Sequence, residues 1–162
     1  MLQAKIITIP SKKLVGMRMQ FSLSKNTPAQ LWRQFMPRRR EIKNNINEDL
    51  ISMEIYDGTL DVKNFNGNTV FEKWAVVEVS DFDDSPEGME THLLKGGEYA
   101  VFLHKASQRL VEELFDYIFK IWLPTSEFEL DNRAHFGVMG EKYYGPENPN
   151  TEEEIWIPIK RR

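Results

Sequence analysis

The sequence predicts an α+β fold of two strand-helix-strand-strand halves, with an antiparallel sheet and a central ligand cleft. The same order of elements occurs twice within 162 residues, and an acidic, turn-rich stretch at 80–88 separates the two runs. The tripeptide Glu-x-Trp also ends with Trp74 in one half and with Trp156 in the other. Two such halves related by a pseudo-twofold axis would enclose a cleft. A match this short also arises by chance, so the repeat is a hypothesis.

The first half begins with strands and a well-marked helix. Thr27, Pro28 and Gln30 combine an N-cap, a proline at the first helical position and a capping-box glutamine. Apolar residues follow at helical spacing, and Pro37 interrupts them. Alternating or β-branched stretches predict the strands of this half at residues 5–10, 14–23, 50–56 and 69–79.

The second half repeats this order. Ser107 is the predicted N-cap of its helix, and Leu123-Pro124 is the predicted end. The buried stripe of that helix is predicted at Val111, Leu114, Phe115, Ile118 and Trp122. Strands are predicted at 97–103, 135–144 and 153–160. We therefore predict a single domain over 1–162, with halves at about 1–90 and 91–162.

Composition narrows the classes of function. The chain is 41% hydrophobic, enough for a proper core, and its net charge of -4 does not favour a nucleic-acid partner. The absence of cysteine excludes disulfides, thiolate metal sites and thiol nucleophiles. No apolar run reaches the roughly 20 residues of a membrane helix, and the N-terminus lacks a signal-peptide pattern. We expect a cytoplasmic protein with no membrane contact.

The last predicted strand holds the leading candidate for a ligand site. Alternate side chains of a strand share a face, so Glu154 and Trp156 point one way while Ile155 and Ile157 point the other. A carboxylate beside an aromatic ring in a concave site attracts flat or cationic organic molecules. The alternative is a solvent-facing strand end within the acidic run 152–154. Further aromatic residues serve equally well as cavity walls or as core packing: Trp74, Tyr56, Tyr99, Phe136 and, more weakly, Trp32.

Other chemistries lack their motifs. His92, His104 and His135 show no metal-ligand spacing, so we predict no metal. There is no glycine-rich phosphate loop leading into a helix and no nucleophile elbow. We therefore predict no cofactor and no covalent catalysis.

Three segments carry a resemblance to a known family: KGGEYAVF at 95–102, IWLPTS at 121–126 and EIWIPI at 154–159. In this order and spacing they resemble the GyrI-like small-molecule-binding family, which supplies the effector-binding domain of AraC-type and multidrug-sensing transcription regulators. The resemblance implies two strand-helix-strand-strand modules around a ligand cavity. It also implies that Glu154 matches the acid that holds cationic, lipophilic compounds. One departure is that His135-Phe136-Gly137 stands where many members have a Phe-Glu-x-Tyr-like motif.

These observations predict a stand-alone protein that senses or sequesters amphiphilic cationic or planar aromatic compounds. One alternative is a hydrolase that acts on a strained or activated small molecule, with Glu154 as general base in the same cavity. A second alternative is a protein-interaction module of the gyrase-inhibitor type, in which the acidic loop 81–84 contacts an unknown protein partner.

Overall fold

The computed structural model of the protein describes residues 3–107 and 110–162. The first half contains these elements: β1 (Lys5–Ile9), β2 (Lys12–Phe21), α1 (Pro28–Phe35), a 3-10 helix (Met36–Glu41), β3 (Leu50–Ile55) and β4 (Phe71–Val79). The second half contains β5 (Glu90–Leu94), β6 (Gly97–Lys105), α2 (Val111–Tyr117), β7 (Phe128–Leu130), β8 (His135–Met139) and β9 (Glu152–Arg161). The predicted α+β fold is confirmed, since strand, helix, strand, strand occurs as β2-α1-β3-β4 and as β6-α2-β8-β9.

The second helix differs from its prediction at its ends. Its predicted start falls partly outside the described residues, and α2 begins at Val111. The predicted stop at Leu123-Pro124 is wrong, because the helix continues through a π-helical turn at Ile118–Trp122 and ends at Thr125. The N–H of Leu123 bonds to the carbonyl of Ile118, five residues earlier. Pro124 lies in the first turn that follows, where a missing N–H is tolerated.

The sheet is antiparallel, and its strand order is symmetric. The order is β1-β6-β9-β8-β3-β4-β2-β5, with β7 paired separately to β9. Around the central β8–β3 contact, β9 corresponds to β4 and β6 corresponds to β2. Each half also lends a strand to the other, because β1 pairs with β6 and β5 pairs with β2. The two halves are thereby joined into one continuous sheet.

Short connections force this sheet to curl. Only Pro10 and Ser11 link β1 to β2, although these strands lie near opposite ends of the strand order. Two residues span at most about 7 Å, so the two ends of the sheet must meet. Gly96, in the equally short link from β5 to β6, lies against the backbone of Ile9 and Pro10, where a Cβ would collide. The curled sheet therefore has an enclosed inner face and a convex outer face.

The two helices cover the outer face. Leu31 and Phe35 of α1 pack on one half, and Leu114 of α2 and Ile118 of the π-helical turn pack on the other. The inner face has its own apolar cluster, to which both halves contribute, with Leu14, Met53, Trp74, Leu94, Tyr99 and Phe136 buried. In the part of the chain that the structure describes, no helix is long and apolar enough to cross a membrane.

Candidate functional site

Glu154 and Trp156 lie side by side on the inner face, near the beginning of β9. The indole Nε1–H of Trp156 donates a hydrogen bond of 3.2 Å to Oε1 of Glu154. Ile155 and Ile157 point to the outer face, where they pack with α2. The alternation expected of a strand is thus observed, and the hydrogen bond holds the carboxylate next to the indole. We call these two residues the second Glu–Trp pair.

An aromatic cluster supports Trp156 from one side. The ring of Phe136 stacks on the indole with centroids 5.1 Å apart and planes 16° apart, and Tyr99 packs edge-on at 5.8 Å. Tyr99 is fully buried and donates its hydroxyl to the carbonyl of Ala134 at 2.8 Å. Burial raises the pKa of Tyr99 to about 12, so this hydroxyl stays protonated as a donor. The structure therefore brings Trp156, Tyr99 and Phe136 together.

The structure corrects the prediction that the Glu154 carboxylate is buried in a closed cleft. The side chain of Glu154 is exposed, because it lies where β9 begins, at the open end of the inner face. Deeper between the halves, the space is filled by side chains that include Tyr99 and Phe136. Glu154 instead lines a shallow depression of about 320 Å³. An exposed carboxylate stays hydrated, so its attraction for a cation is weaker than in an apolar cavity.

The depression has an apolar base and a predominantly acidic edge. Leu103, on the neighbouring β6, and Val138, on β8, lie directly across from Glu154 in the strand pairing. The charged residues that line the depression are Asp49, Glu141, Glu152, Glu154 and Lys142. Four carboxylates against one ammonium make this surface attractive to amphiphilic cations.

Trp74 belongs to an equivalent arrangement on β4. Its indole Nε1–H donates to Oε1 of Glu72 at 3.0 Å, as Trp156 donates to Glu154. We call Glu72 and Trp74 the first Glu–Trp pair. Trp74 is buried beneath two further side chains: the ring of His92 at 5.3 Å and the guanidinium carbon of Arg18 at 5.8 Å. Trp74 thus packs under Arg18 of its own half and His92 of the other half, and among the described residues its ring makes no contact with the ring of Trp156.

Tyr56 and Trp32 lie on the outer face. They therefore do not share a pocket with Glu154, as the sequence had predicted they would. Tyr56 packs against His135 at 5.0 Å and against aromatic residues of the β3–β4 loop region, where it lines a separate depression of about 160 Å³. Trp32, on α1, packs edge-on against Phe35 at 5.9 Å. The sequence gives the alternation within each strand, but the face that a strand turns inward depends on long-range pairing.

Glu153 is a buried carboxylate that the sequence interpretation left out. It lies on the outer face with 6% of its surface exposed, and its carboxylate lies over Gly137 on β8, where a Cβ would collide with Oε2. Burial, with the negative charge of Glu153, raises the pKa of Tyr143 to about 12. Alternation along β9 already implied that Glu153 faces away from Glu154. No pattern in the sequence indicated that the missing side chain at Gly137 would make room for it.

The three histidines have separate surroundings. His92 contacts Trp74 on the inner face, His104 bonds through Nε2 to the carbonyl of Ser107 at 3.0 Å, and His135 packs on Tyr56. Among residues 3–107 and 110–162, no three His, Asp or Glu side chains gather as a metal ion would require.

Sequence comparison identifies the family. A profile of the GyrI-like small molecule binding domain matches residues 2–160. The chain belongs to the GyrI-like family. The resemblance inferred from the three segments is therefore confirmed.

Relatives of this GyrI-like chain include regulators. It is 28% identical over 158 residues to the transcriptional regulator BrlR of Pseudomonas aeruginosa, a match that covers 98% of this chain and 56% of BrlR. The chain thus spans little more than half the length of this relative.

Solved structures share the fold. SAV2435 bound to tetraphenylphosphonium has a TM-score of 0.71 at 15% identity, with 98% of this chain and 94% of that chain covered. The EcmrR C-terminal domain has a TM-score of 0.71 at 13% identity, with 99% of both chains covered. At these identities the similarity establishes the fold alone.

Proposed function

We propose that this GyrI-like domain binds amphiphilic cations or planar aromatic cations at the second Glu–Trp pair. The observation that carries the proposal is the hydrogen bond from Trp156 to Glu154, which presents a carboxylate and a partly buried indole together beside the acidic depression. Charge and ring quadrupole both attract a cation there. SAV2435, which shares the fold, was solved with tetraphenylphosphonium, an aromatic cation.

The exposure of Glu154 sets the expected strength of binding. Cation–π contacts contribute about 0.5–2 kcal/mol each, and water and salt screen an exposed carboxylate. The apolar contribution comes from Leu103 and Val138. We therefore expect broad, modest affinity that falls as the salt concentration rises.

We extend the proposal to a role as a sensor or sequestering protein, on its own or with a partner. The support is the family relationship with the regulator BrlR, of which this chain matches 56%. If the domain is a sensor, a cation should displace a labelled ligand from the domain over the same concentration range in which that cation changes transcription by the regulator that the domain controls.

The geometry favours binding over hydrolysis. A general base works best with a pKa tuned by an apolar, water-poor environment, whereas Glu154 is exposed.

The gyrase-inhibitor alternative stays a prediction. Its acidic loop is held as a turn, in which the N–H of Asp83 bonds to Oδ1 of Asp81 at 3.0 Å.

Two adjacent residues provide a matched experiment. Tetraphenylphosphonium is titrated into the protein while tryptophan fluorescence is followed, with the variants Glu154→Gln and Glu153→Gln in parallel. We expect Glu154→Gln to weaken binding by about threefold to tenfold, because the carboxylate charge is lost. We expect Glu153→Gln to bind like the wild type, since Glu153 is buried on the outer face, away from Glu154.

The reverse pattern would contradict the proposed site. If Glu153→Gln weakens binding and Glu154→Gln does not, the ligand binds on the outer face, where the buried carboxylate of Glu153 lies. If neither substitution changes the affinity, neither Glu153 nor Glu154 selects the ligand.

A further inference from the structure

The two Glu–Trp pairs occupy equivalent positions in the sheet. Trp74 lies on β4 and Trp156 on β9, strands that correspond under the symmetric strand order. In the strand pairing, Arg18 on β2 stands opposite Trp74, and Val101 on β6 stands opposite Trp156. The same position relative to the indole therefore holds a cation in the first half and an apolar side chain in the second.

Arg18 makes the contacts of a bound cation at the first pair. Its guanidinium carbon lies 5.8 Å from the centroid of the Trp74 ring, and its Nη1 lies 3.8 Å from Oε2 of Glu72. Its Nε bonds to both carboxylate oxygens of Glu90 on β5, at 2.9 and 2.8 Å. The first pair is thus satisfied from within the chain by a planar guanidinium.

The second pair has the same acid and indole without this arginine. Val101 is buried and brings no charge. Three lysines stand near the second pair in the strand pairing or line the depression: Lys5 stands opposite Val101, Lys105 stands opposite Glu152, and Lys142 lies 4.0 Å from Glu152. Among the ion pairs of the described residues, none includes Glu154.

We propose that the second Glu–Trp pair is a guanidinium-type site, and that its preferred ligands carry an amidinium or guanidinium group on an apolar body. This inference rests on the proposed function for the location and adds the chemical class of the ligand. A planar delocalised cation stacks on an indole and meets a carboxylate with two N–H groups, and it is less strongly hydrated than an ammonium. Leu103, an exposed apolar side chain across from Glu154, receives the apolar body.

Ligand selectivity provides the first test. Benzamidine and benzylamine have the same ring and the same charge, and they differ in having a planar amidinium or a tetrahedral ammonium. We expect the wild-type protein to bind benzamidine at least about threefold more tightly than benzylamine. Both dissociation constants are measured from the shift of the Trp156 indole N–H signal in nitrogen-15 correlation spectra. Equal affinities would overturn the inference.

Removal of the internal cation provides the second test. The side chain of Arg18 is 38% exposed, so Arg18→Met should fold, which a melting curve checks. In the folded variant we expect benzamidine to shift the indole signals of both Trp74 and Trp156, whereas in the wild type it shifts that of Trp156 alone. Arg33→Met, which removes an exposed arginine on α1, is the control for net charge and should behave like the wild type.

The outcomes separate this inference from the function it rests on. If the Trp74 signal of folded Arg18→Met does not respond to benzamidine, the guanidinium assignment fails. If the wild-type Trp156 signal responds to tetraphenylphosphonium but shows no preference for benzamidine, only the ligand class is wrong. If neither compound shifts the Trp156 signal, the proposed function and the inference fail together.

Discussion

Residues that are neighbours in sequence differ sharply in solvent exposure where they face opposite sides of the sheet. Glu153 is buried on the outer face, while Glu154 is exposed on the inner face. Alternation predicted that Glu154 and Trp156 would share a face, and they do. It did not predict burial, because burial depends on which distant residues cover each face.

His135 shows what burial does to a titratable group. Desolvation, with a smaller contribution from the nearby positive charge of Arg133, lowers its pKa from 6.5 to about 3. Between these pH values the unfolded chain binds one more proton than the folded chain. The contribution of neutral His135 to stability is therefore complete above about pH 6.5 and is lost progressively as the pH falls toward 3.

We predict that His135→Gln reduces the acid sensitivity of the fold. One pH unit corresponds to about 1.4 kcal/mol, so between about pH 6.5 and pH 5 the wild type should lose roughly 2 kcal/mol more than the variant. Urea denaturation at the two pH values, with both proteins, measures this difference. The same pH dependence in the two proteins would show that His135 is not held neutral by burial.

At the scale of elements, the sequence predicted those helix and strand boundaries that residues next to the boundary determine. The start of α1 follows from its capping box, in which the backbone N–H of Thr27 donates to the side chain of Gln30 at 2.9 Å. By contrast, β5 was not predicted, because Glu90–Leu94 is short and forms its strand through pairing with β2. The extension of the second helix beyond Pro124 was also missed, since a π-helical turn leaves no clear sequence pattern.

The buried position of the Glu153 carboxylate depends on a missing side chain on β8. At Gly137 an added Cβ would collide with Oε2 of Glu153, which is buried there. We predict that Gly137→Ala lowers the free energy of unfolding by about 1–3 kcal/mol, the usual range for overpacking. Chemical denaturation measures this change.

A double variant identifies the cause of that loss. In the background Glu153→Ala the carboxylate is absent, so adding Gly137→Ala should have little further effect. Gly67→Ala is the control, because its Cβ would meet only Ser24 at 3.6 Å or more, an ordinary contact. An undiminished loss in the double variant would mean that the backbone, and not Glu153, restricts position 137.

At the scale of the whole molecule, curling of the sheet explains both the success and the failure of the cleft prediction. Two halves with a symmetric strand order do enclose a common inner face. The composition of that face then decides whether it is hollow, and large side chains such as Trp74, Tyr99 and Phe136 fill it. What is left for a ligand is the open end, where Glu154 lines the depression. The depth of a cleft depends on packing in three dimensions, which no short motif encodes.

A crystal structure of the protein with tetraphenylphosphonium would show whether a lipophilic cation binds at the second Glu–Trp pair. We predict a phosphonium within contact of Glu154 and of the Trp156 indole, with its rings on Leu103 and Val138. A cation bound instead on the outer face, against Glu153, would contradict this prediction.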